Sequence, residues 1–459
     1  MSASDWIILL QWFFLLYFIS MNCGYILLNL LSIGTMKNYM EAKDLDLLPR
    51  AHAGYEPPIS VLVPAYNNEV AITGLVRTLL RLQYTEFEVI VVNDGSIDNT
   101  LATLQSDFSL QIFPEAYWQR IKGKGVRAIY RSSLHPKLRV IDKENGGKAD
   151  ALNAGINASR YPLLCAVGVD TILQKDSLLQ MARPFVENPD TVAVGSMARV
   201  ANGCDMHEGF IAGIGLPRSR LALLQIVEHL RSLLFGRLGW LSFNAVLTLS
   251  DALILFRKES VVEAGGYRVD AIDEDMELTL RLHRLLRLRG ARYQINYLPD
   301  AISWTRVPEN MAALKSRRSR DQLGLADSLA SNLPLLFHRK GGAASWLAFP
   351  FITLFEWLGP AVEVTGYLFM ISAIMLGLIS FPAFVIFLLV AIGFGMLVSM
   401  SALVLEELSI HLYPQRRQLA VLLAAAILEN LGYRQWVALW RTFGLAQWMV
   451  RGLRKMVSV

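Results

Sequence analysis

Three consecutive acidic residues, Asp273, Glu274 and Asp275, open a stretch in which leucines recur at every second or third position with arginines between them. Carboxylates at this point would face the unpaired N–H groups and the positive end of a helix dipole, so the triplet predicts the start of a helix. Two roles are open for these acids. They could only cap the helix, or one carboxylate could also take a proton from an attacking hydroxyl group.

Polar runs also stand at the ends of predicted strands in the middle of the chain. Residues 59–63 and 87–92 are short β-branched segments, whereas 70–82 and 148–158 have helical spacing. This alternation predicts an α/β domain with a mostly parallel sheet and helices on its faces. Ligands of such sheets collect at the carboxyl ends of the strands. Those ends carry PAYNNE at 64–69, NDGSID at 93–98 and GVDT at 168–171.

The two ends of the chain are more apolar than its middle. Of 459 residues, 53% are hydrophobic, and the formal net charge is +5. The first 35 residues carry no charge after Asp5, and an uncharged run of this length can cross a bilayer as a helix. We therefore predict a transmembrane helix at 1–35, followed by a cytosolic linker at 36–57. The linker contains Lys37 and Arg50, and positive charge on the cytosolic side predicts an amino terminus outside.

The remaining chain divides into a globular middle, 58–340, and an apolar C-terminal region, 341–459. The middle is predicted to lie in the cytosol. In the C-terminal region we predict, in order, a membrane-surface helix, two spans and helices at the inner face, at 346–355, 357–379, 382–405 and 419–450. Glu363 falls in a predicted span and is expected to face protein or a cavity, because a carboxylate in lipid is costly.

Cysteine and histidine patterns exclude several classes of site. The three cysteines are far apart, which argues against a disulfide framework or a thiolate metal site. The seven histidines show no HExxH spacing. With membrane segments present, the basic excess favours anionic lipid headgroups or a phosphorylated substrate over nucleic acid. We expect no nucleic-acid partner.

The motifs, taken in order, point to a known family. Three further motifs accompany the strand-end runs and the acidic triplet. They are NGGKADALN at 145–153, WTRVP at 304–308 and RRSRD at 317–321. Their order and spacing resemble those of membrane-integrated family-two glycosyltransferases, among them cellulose, hyaluronan, chitin-oligosaccharide and poly-N-acetylglucosamine synthases. The resemblance implies a Rossmann-like, nucleotide-sugar-binding domain of GT-A type between transmembrane helices. It also implies inverting transfer of a sugar from a UDP-sugar to a growing glycan at the cytosolic face of the plasma membrane, for envelope or extracellular polysaccharide.

The resemblance assigns nucleotide contacts to four residues. Tyr66 and Glu69 would border the nucleotide, and Asp94 would bind the uracil or the ribose. Lys148 would approach the base or the diphosphate, since a lysine suits a phosphate as a mobile point charge.

The resemblance also implies a metal ion, a base and a diphosphate clamp. Asp170 would bind Mg²⁺ or Mn²⁺, which offsets charge on the departing UDP. Asp275, with Glu274 beside it, would be the general base that deprotonates the acceptor hydroxyl. Arg317 and Arg320 would hold the diphosphate. The implied partners are a glycan or lipid-linked acceptor, membrane lipid and polysaccharide-export subunits.

Several positions depart from the family pattern. Gly168 replaces the first acid of Asp-x-Asp, and RRSRD replaces Gln-x-x-Arg-Trp, so that Arg317 stands for the glutamine and Asp321 for the tryptophan. Asp251 stands where relatives have a small residue near the acceptor. An alternative is therefore a catalytically impaired paralogue that serves as a binding or assembly subunit of a polysaccharide synthase. Transfer to a lipid-phosphate carrier is a further possibility.

Plain structural roles compete at single motifs. NDGS at 93–96 could be a simple turn after a strand, and GGK at 146–148 could be a loop before a helix. Arg281, Arg284 and Arg287 recur at helical spacing, which predicts a stripe facing solvent or lipid headgroups.

Overall fold

The computed structural model describes residues 3–45, 56–249 and 253–457. Residues 46–55 of the predicted linker and Asp251 lie outside the described residues. The strands are β1 Ile59–Ala65, β2 Phe87–Asp94, β3 Leu110–Ile112, β4 Val126–Ser132, β5 Leu138–Lys143, β6 Leu163–Val167, β7 Ile172–Leu173, β8 Thr191–Val200, β9 Asp205–His207, β10 Phe210–Gly213, β11 Leu253–Arg257 and β12 Gln294–Thr305.

The described part of the chain centres on a ten-stranded mixed sheet in the order β3-β4-β5-β2-β1-β6-β11-β8-β12-β7. Its centre, β5-β2-β1-β6, is parallel, and Ile59 of β1 pairs with Phe87 of β2 and Leu163 of β6. Strand β11 runs antiparallel between β6 and β8. Every residue of β2 is buried, as expected for a parallel strand covered on both faces. The predicted α/β class is confirmed.

Helices cover the sheet and form the two apolar ends of the chain. They are α1 Ala3–Leu45, α2 Ile72–Leu80, α3 Thr100–Phe108, α4 Lys148–Ala158, α5 Ser177–Glu187, α6 Arg220–Leu233, α7 Gly239–Leu241, α8 Lys258–Glu263, α9 Glu274–Arg289, α10 Met311–Ser331, α11 Phe349–Phe351, α12 Gly359–Met375, α13 Phe381–Leu388, α14 Phe394–Ser409, α15 Arg416–Leu428 and α16 Arg434–Val457. Several are joined by π-helical turns, at Leu234–Leu238, Ala344–Ala348, Ile352–Trp357, Leu389–Gly393 and Glu429–Tyr433.

Two helices of the described chain are long and apolar enough to cross a membrane, Asp5–Glu41 and Phe381–Ser409. A bent pair, Ala344–Trp357 and Gly359–Met375, meets the same test as one broken span with a 45° bend. The predicted surface helix and the span after it thus form one bent unit. Helix α1 runs to Leu45, so the segment predicted as a linker begins as helix.

Buried ion pairs join the membrane helices to each other and to the rest of the protein. Glu363 of α12 lies 3.0 Å from the Arg434 guanidinium, which confirms that this carboxylate faces protein. Arg231 of α6 pairs with Glu429 at 2.9 Å. Each pair satisfies charges that would be costly if left alone in an apolar surrounding.

The predicted arginine stripe on α9 was wrong. Arg281 donates to the carbonyl oxygens of Ala264 and Gly266, and Arg284 donates to the carbonyl oxygen of Ser331. Arg287 donates to the hydroxyl group of Tyr293. The stripe faces neighbouring loops and not solvent, because guanidinium groups can satisfy several backbone carbonyls at once.

Helices α10 and α16 pack closely at Gly444, and this contact generates a stability prediction. A Cβ atom at Gly444 would stand 2.5 Å from the carbonyl oxygen of Ser319. Gly444→Ala must therefore push the helices apart and is expected to destabilise the protein by about 1–3 kcal/mol. Thermal unfolding of the purified chain measures this as a lower midpoint. Gly74→Ala in α2 is the matched control, since no atom lies within 4 Å of its Cβ position. Equal midpoints for the two variants would contradict the packing.

Candidate active site

A cavity of about 480 Å³ opens where the carboxyl ends of β1 and β6 meet the start of α9 and one side of α10. We call it the central cavity. Its strand-end lining includes Pro64, Val167 and Gly168, which is the sheet edge that the sequence predicts. Its titratable lining residues are Lys148, His229, Arg237, Asp273, Glu274, Asp275, Arg317, Arg318, Arg320 and Asp321.

The three acids of the triplet have different roles, and only Asp273 caps the helix. Asp273 is the N-cap of α9, and its Oδ1 accepts a hydrogen bond from the Met276 backbone N–H at 3.0 Å. Burial and the charges of Asp275 and Glu274 raise the pKa of Asp273 to about 7. The capping role predicted for the triplet thus belongs to Asp273, which leaves Glu274 and Asp275 for other contacts.

Lys148, the first residue of α4, lies against the two remaining acids. Its ammonium group contacts the Glu274 carboxylate directly and lies 3.7 Å from Oδ2 of Asp275. Burial alone would lower the pKa of Lys148, but Asp275 and Glu274 outweigh it and raise the pKa. The lysine is therefore held protonated, as a cation that can move toward an incoming phosphate group.

One carboxylate oxygen of Asp275 accepts no hydrogen bond from the described residues. This oxygen, Oδ1, is buried. Burial and the charge of Glu274 raise the pKa of Asp275, while Lys148 and the Tyr267 hydroxyl group act in the opposite direction. A buried carboxylate oxygen without a donor is poorly stabilised as an anion, which makes it a better proton acceptor.

Helix α10 brings a cationic surface to the same cavity. No carboxylate of the described residues lies within ion-pair distance of Arg317 or Arg320. Arg318 pairs with Asp321 at 3.2 Å. Arg318 also pairs with Glu228, so it offsets the charge of Asp321 only in part. The guanidinium groups of Arg317 and Arg320, which have no carboxylate partner among the described residues, suit an oxyanion such as a diphosphate.

Asp94 is buried and does not line the central cavity. Its carboxylate accepts hydrogen bonds from the Lys143 ammonium group at 2.6 Å and from the backbone N–H groups of Gly146 and Gly147 at 3.0 and 2.8 Å. These bonds fix the loop from which α4 and Lys148 begin. Three of about four acceptor sites of this carboxylate are filled, so it keeps capacity for one further donor.

The other predicted nucleotide contacts lie outside the central cavity. Tyr66 is exposed on the loop after β1, and Oε2 of Glu69 accepts a hydrogen bond from the Asn99 backbone N–H at 3.0 Å. Asp170 lies in an adjoining cavity of about 950 Å³ that shares Arg317 with the central one. Of the predicted site residues, five line the central cavity: Lys148, Glu274, Asp275, Arg317 and Arg320. Four others lie outside it: Tyr66, Glu69, Asp94 and Asp170.

A divalent cation fits this arrangement only with help from its substrate. Within the described ranges, no three His, Cys, Asp or Glu side chains form a group that could hold a metal ion. Asp170 is exposed, and Gly168 offers no second carboxylate. Mg²⁺ commonly takes one or two protein carboxylates and completes its shell with phosphate oxygens and water. Asp170 would supply the one protein carboxylate of such a site, and a bound diphosphate and water would supply the other ligands.

A second polar cavity continues from the central one into the membrane helices. We call it the helix-bundle cavity; its volume is about 260 Å³. Both cavities are lined by Ser232, Arg237, Met276, Arg318 and Asp321. At the junction, Glu228 accepts hydrogen bonds from Arg318 and, at 2.8 Å, from the Tyr433 hydroxyl group. Burial alone would raise the pKa of Glu228, but Arg318 and Arg231 lower it to about 2, so this carboxylate is charged.

Comparison with known proteins identifies the family. The model described as glycosyl transferase family 2 matches residues 60–205, and that described as glycosyl transferase family group 2 matches residues 169–398, which is half of the chain. The chain belongs to the family 2 glycosyltransferases. This confirms the resemblance that the motifs indicate.

Among the relatives of this glycosyltransferase are poly-beta-1,6-N-acetyl-D-glucosamine synthases. The synthase of Staphylococcus aureus (strain COL) is 29% identical over 263 residues, which cover 57% of this chain and 53% of the relative. The synthase of Staphylococcus epidermidis is 27% identical over the same length. The chain therefore spans about half the length of the curated relatives it matches.

A solved structure supports the fold. A mannosyltransferase from Pyrobaculum calidifontis, in complex with GDP-Man and Mn²⁺, superposes with a TM-score of 0.53 at 17% identity. The match covers 90% of this chain and 99% of the other. The predicted GT-A type of α/β fold is confirmed.

Sequence reasoning missed three residues around the central cavity. Arg237 donates to Ser232 at 2.9 Å and stacks on the Tyr297 ring at 5.4 Å. Burial and Arg318 lower the pKa of His229 to about 3, so its imidazole is neutral. Tyr267 lies beneath Asp275. These residues belong to no motif, and only the fold brings them together.

The raised pKa of Asp273 makes stability depend on pH. The folded state holds the Asp273 proton up to about pH 7, whereas the unfolded chain loses it near the ordinary aspartate pKa of 3.8. This carboxyl group therefore destabilises the fold increasingly as pH rises between these values. Asp273→Asn keeps an N-cap side chain and removes this penalty. We expect the variant to be more stable than the wild type above pH 7, on the order of 2 kcal/mol, with the gap shrinking toward pH 4. Thermal unfolding at pH 5 and pH 8 measures it; a gap independent of pH would contradict the assignment.

Proposed function

We propose that this glycosyltransferase moves a sugar from a UDP-sugar to an acceptor hydroxyl with inversion, and that Asp275 is the general base. The observation that carries the proposal is the buried Oδ1 of Asp275, which has no hydrogen-bond partner among the described residues and lies in a cavity with unpaired cations. A general base needs an unoccupied oxygen within reach of the acceptor hydroxyl, and a raised pKa brings its strength closer to the working pH.

The proposed reaction is a single displacement. The acceptor hydroxyl gives its proton to Asp275 while its oxygen forms the bond to the anomeric carbon. The bond from that carbon to the UDP oxygen breaks on the opposite face, which inverts the configuration. Lys148 and Arg317 stabilise the charge that develops on the leaving diphosphate, and Glu274 holds Lys148 in place before the donor binds.

Asp170 would hold Mg²⁺ or Mn²⁺ against the diphosphate through its carboxylate. When bound, such an ion supplies Lewis-acid stabilisation of the departing UDP. Asp94 keeps the loop of Gly146 and Gly147 in position, and Tyr66 and Glu69 are proposed to border the nucleotide from the exposed edge.

The acceptor is proposed to be a growing glycan of an envelope or extracellular polysaccharide. This rests on the relatives, which are poly-beta-1,6-N-acetyl-D-glucosamine synthases. The continuous polar lining from the central cavity into the helix-bundle cavity supports a route for the product between the membrane helices. In this arrangement the domain 58–340 lies in the cytosol, the N-terminus lies outside and the C-terminal region 341–459 ends inside.

The altered motifs favour an active enzyme over a non-catalytic assembly subunit. Asp321 would repel a diphosphate only if its charge were unpaired, and Arg318 pairs with it. Arg317 adds a cation where the family has a neutral glutamine. The altered motif thus keeps an excess of cations at the site, which supports the proposed binding of a diphosphate.

UDP release tests the base. The purified full chain with Mn²⁺ and a panel of UDP-sugars, starting with UDP-N-acetylglucosamine, is expected to release UDP. GDP-mannose is included because the structural neighbour binds it. Asp275→Asn should lower the rate by about 10²–10⁴-fold. Asp270→Asn is the matched control, since Asp270 is exposed and lies outside the described cavities. An inert wild type that binds no UDP in calorimetry but associates tightly with another synthase subunit would favour the assembly subunit. Equal rates for the two variants would exclude Asp275 as the base.

Lys148 is expected to affect both donor binding and the base. Lys148→Met removes a diphosphate contact, so KM for the donor should rise about tenfold or more. It also removes a charge that lowers the pKa of Asp275, so the rising limb of the pH–rate profile should move to higher pH. Lys124→Met serves as a control on the same side of the domain, since Lys124 is exposed and does not line the central cavity. A raised KM with an unchanged pH–rate profile would show that Lys148 binds the donor but does not influence the pKa of Asp275.

A further inference from the structure

A cationic pocket lies between α10 and α16, beside the central cavity and separate from the proposed base. We call it the α10–α16 pocket; its volume is about 610 Å³. Its lining residues are Ala271, Ile272, Ala312, Lys315, Ser316, Ser319, Arg320, Leu323, Gln447 and Arg451. The lining contains three cations and no acid. Such a composition suits an anion that offers several oxygen acceptors.

The cations of this pocket have no acidic partners in the described chain. No ion pair joins Lys315, Arg320 or Arg451 to a carboxylate of the described residues. Lys315 lies over the Phe443 ring at 5.5 Å, which orients its ammonium group without neutralising it. Three exposed cations without an acidic partner among the described residues give this surface a positive potential, which attracts an anion.

An apolar stripe runs along α16 next to the pocket. Trp436, Phe443 and Val450 are exposed by 53%, 50% and 48%. They recur at seven-residue spacing and so share one face of the helix, and Gln447 and Arg451 of the pocket lie beside that face. Helix α16 does not meet the test for a span, and a helix with an apolar face and basic residues is typical of the membrane interface.

We propose that the α10–α16 pocket binds the phosphate group of a membrane lipid, whose hydrocarbon chain lies along the stripe of Trp436, Phe443 and Val450. Lys315, Arg320 and Arg451 contact the phosphate oxygens, and Ser316 and Gln447 complete the polar lining. The combination of an anionic head site and an adjoining apolar track selects an amphiphile over free phosphate or an uncharged lipid.

The pocket touches the proposed reaction site through two residues. Ile272 and Arg320 line both the α10–α16 pocket and the central cavity. A bound lipid phosphate would therefore hold the Arg320 guanidinium at the boundary between the two cavities.

Binding is tested without any nucleotide sugar, so its result is independent of the proposed transfer activity. The purified full chain is titrated with dodecyl phosphate, dodecanol and inorganic phosphate, and the affinity of each is measured by calorimetry. Dodecyl phosphate is expected to bind at least tenfold more tightly than either fragment. Lys315→Gln and Arg451→Gln should each weaken it about tenfold at unchanged thermal stability. Lys340→Gln, an exposed cation outside the pocket, should leave the affinity unchanged.

A second measurement separates two sources of the phosphate. Lipid that copurifies with the wild type is identified by mass spectrometry before and after incubation with UDP-sugars and Mn²⁺. A lipid recovered unchanged indicates a resident headgroup, and a sugar-bearing lipid phosphate indicates a carrier; both support the site if Arg451→Gln loses that lipid. Equal affinity for dodecanol and dodecyl phosphate, or wild-type affinity in both pocket variants, would overturn the proposal.

Discussion

The contact of Lys148 with Glu274 and Asp275 is the interaction on which the site depends. Glu274 and Asp275 are partly buried at the start of α9, and two adjacent carboxylates in such a place repel each other unless a cation compensates them. Lys148 does so from the first turn of α4, and the bonds of Asp94 to Gly146 and Gly147 fix the point where that helix begins. The sheet edge, the glycine loop and the acidic triplet thus form one electrostatic unit.

Helix α10 connects this unit to the C-terminal helices. One side presents Arg317 and Arg318 to the central cavity, and the other packs on α16 at Gly444. Arg318 also contacts Glu228 at the junction with the helix-bundle cavity. Changes in the motif RRSRD therefore act on the charge of the central cavity, on its junction with the helix-bundle cavity and on the α10–α16 pocket together.

Local patterns predicted the elements well and the contacts less well. β1 and β2 contain the predicted segments, α4 has its predicted bounds and the acidic triplet begins α9, because burial periodicity and capping are local properties. The arginines of α9 and the burial of Asp94 were not predictable in this way. Their partners, such as Ser331 and Lys143, come from distant parts of the chain, and solvation cannot be inferred from spacing alone.

The structure of the full chain with UDP and Mn²⁺ bound would test the central claim most directly, through the distances of the diphosphate oxygens from the side chains of the central cavity. The account predicts that the diphosphate lies within hydrogen-bond distance of Lys148 and Arg317, with Oδ1 of Asp275 facing the acceptor side and bonded to no protein group. UDP bound outside the central cavity, or Oδ1 of Asp275 occupied by a protein donor in that complex, would contradict it.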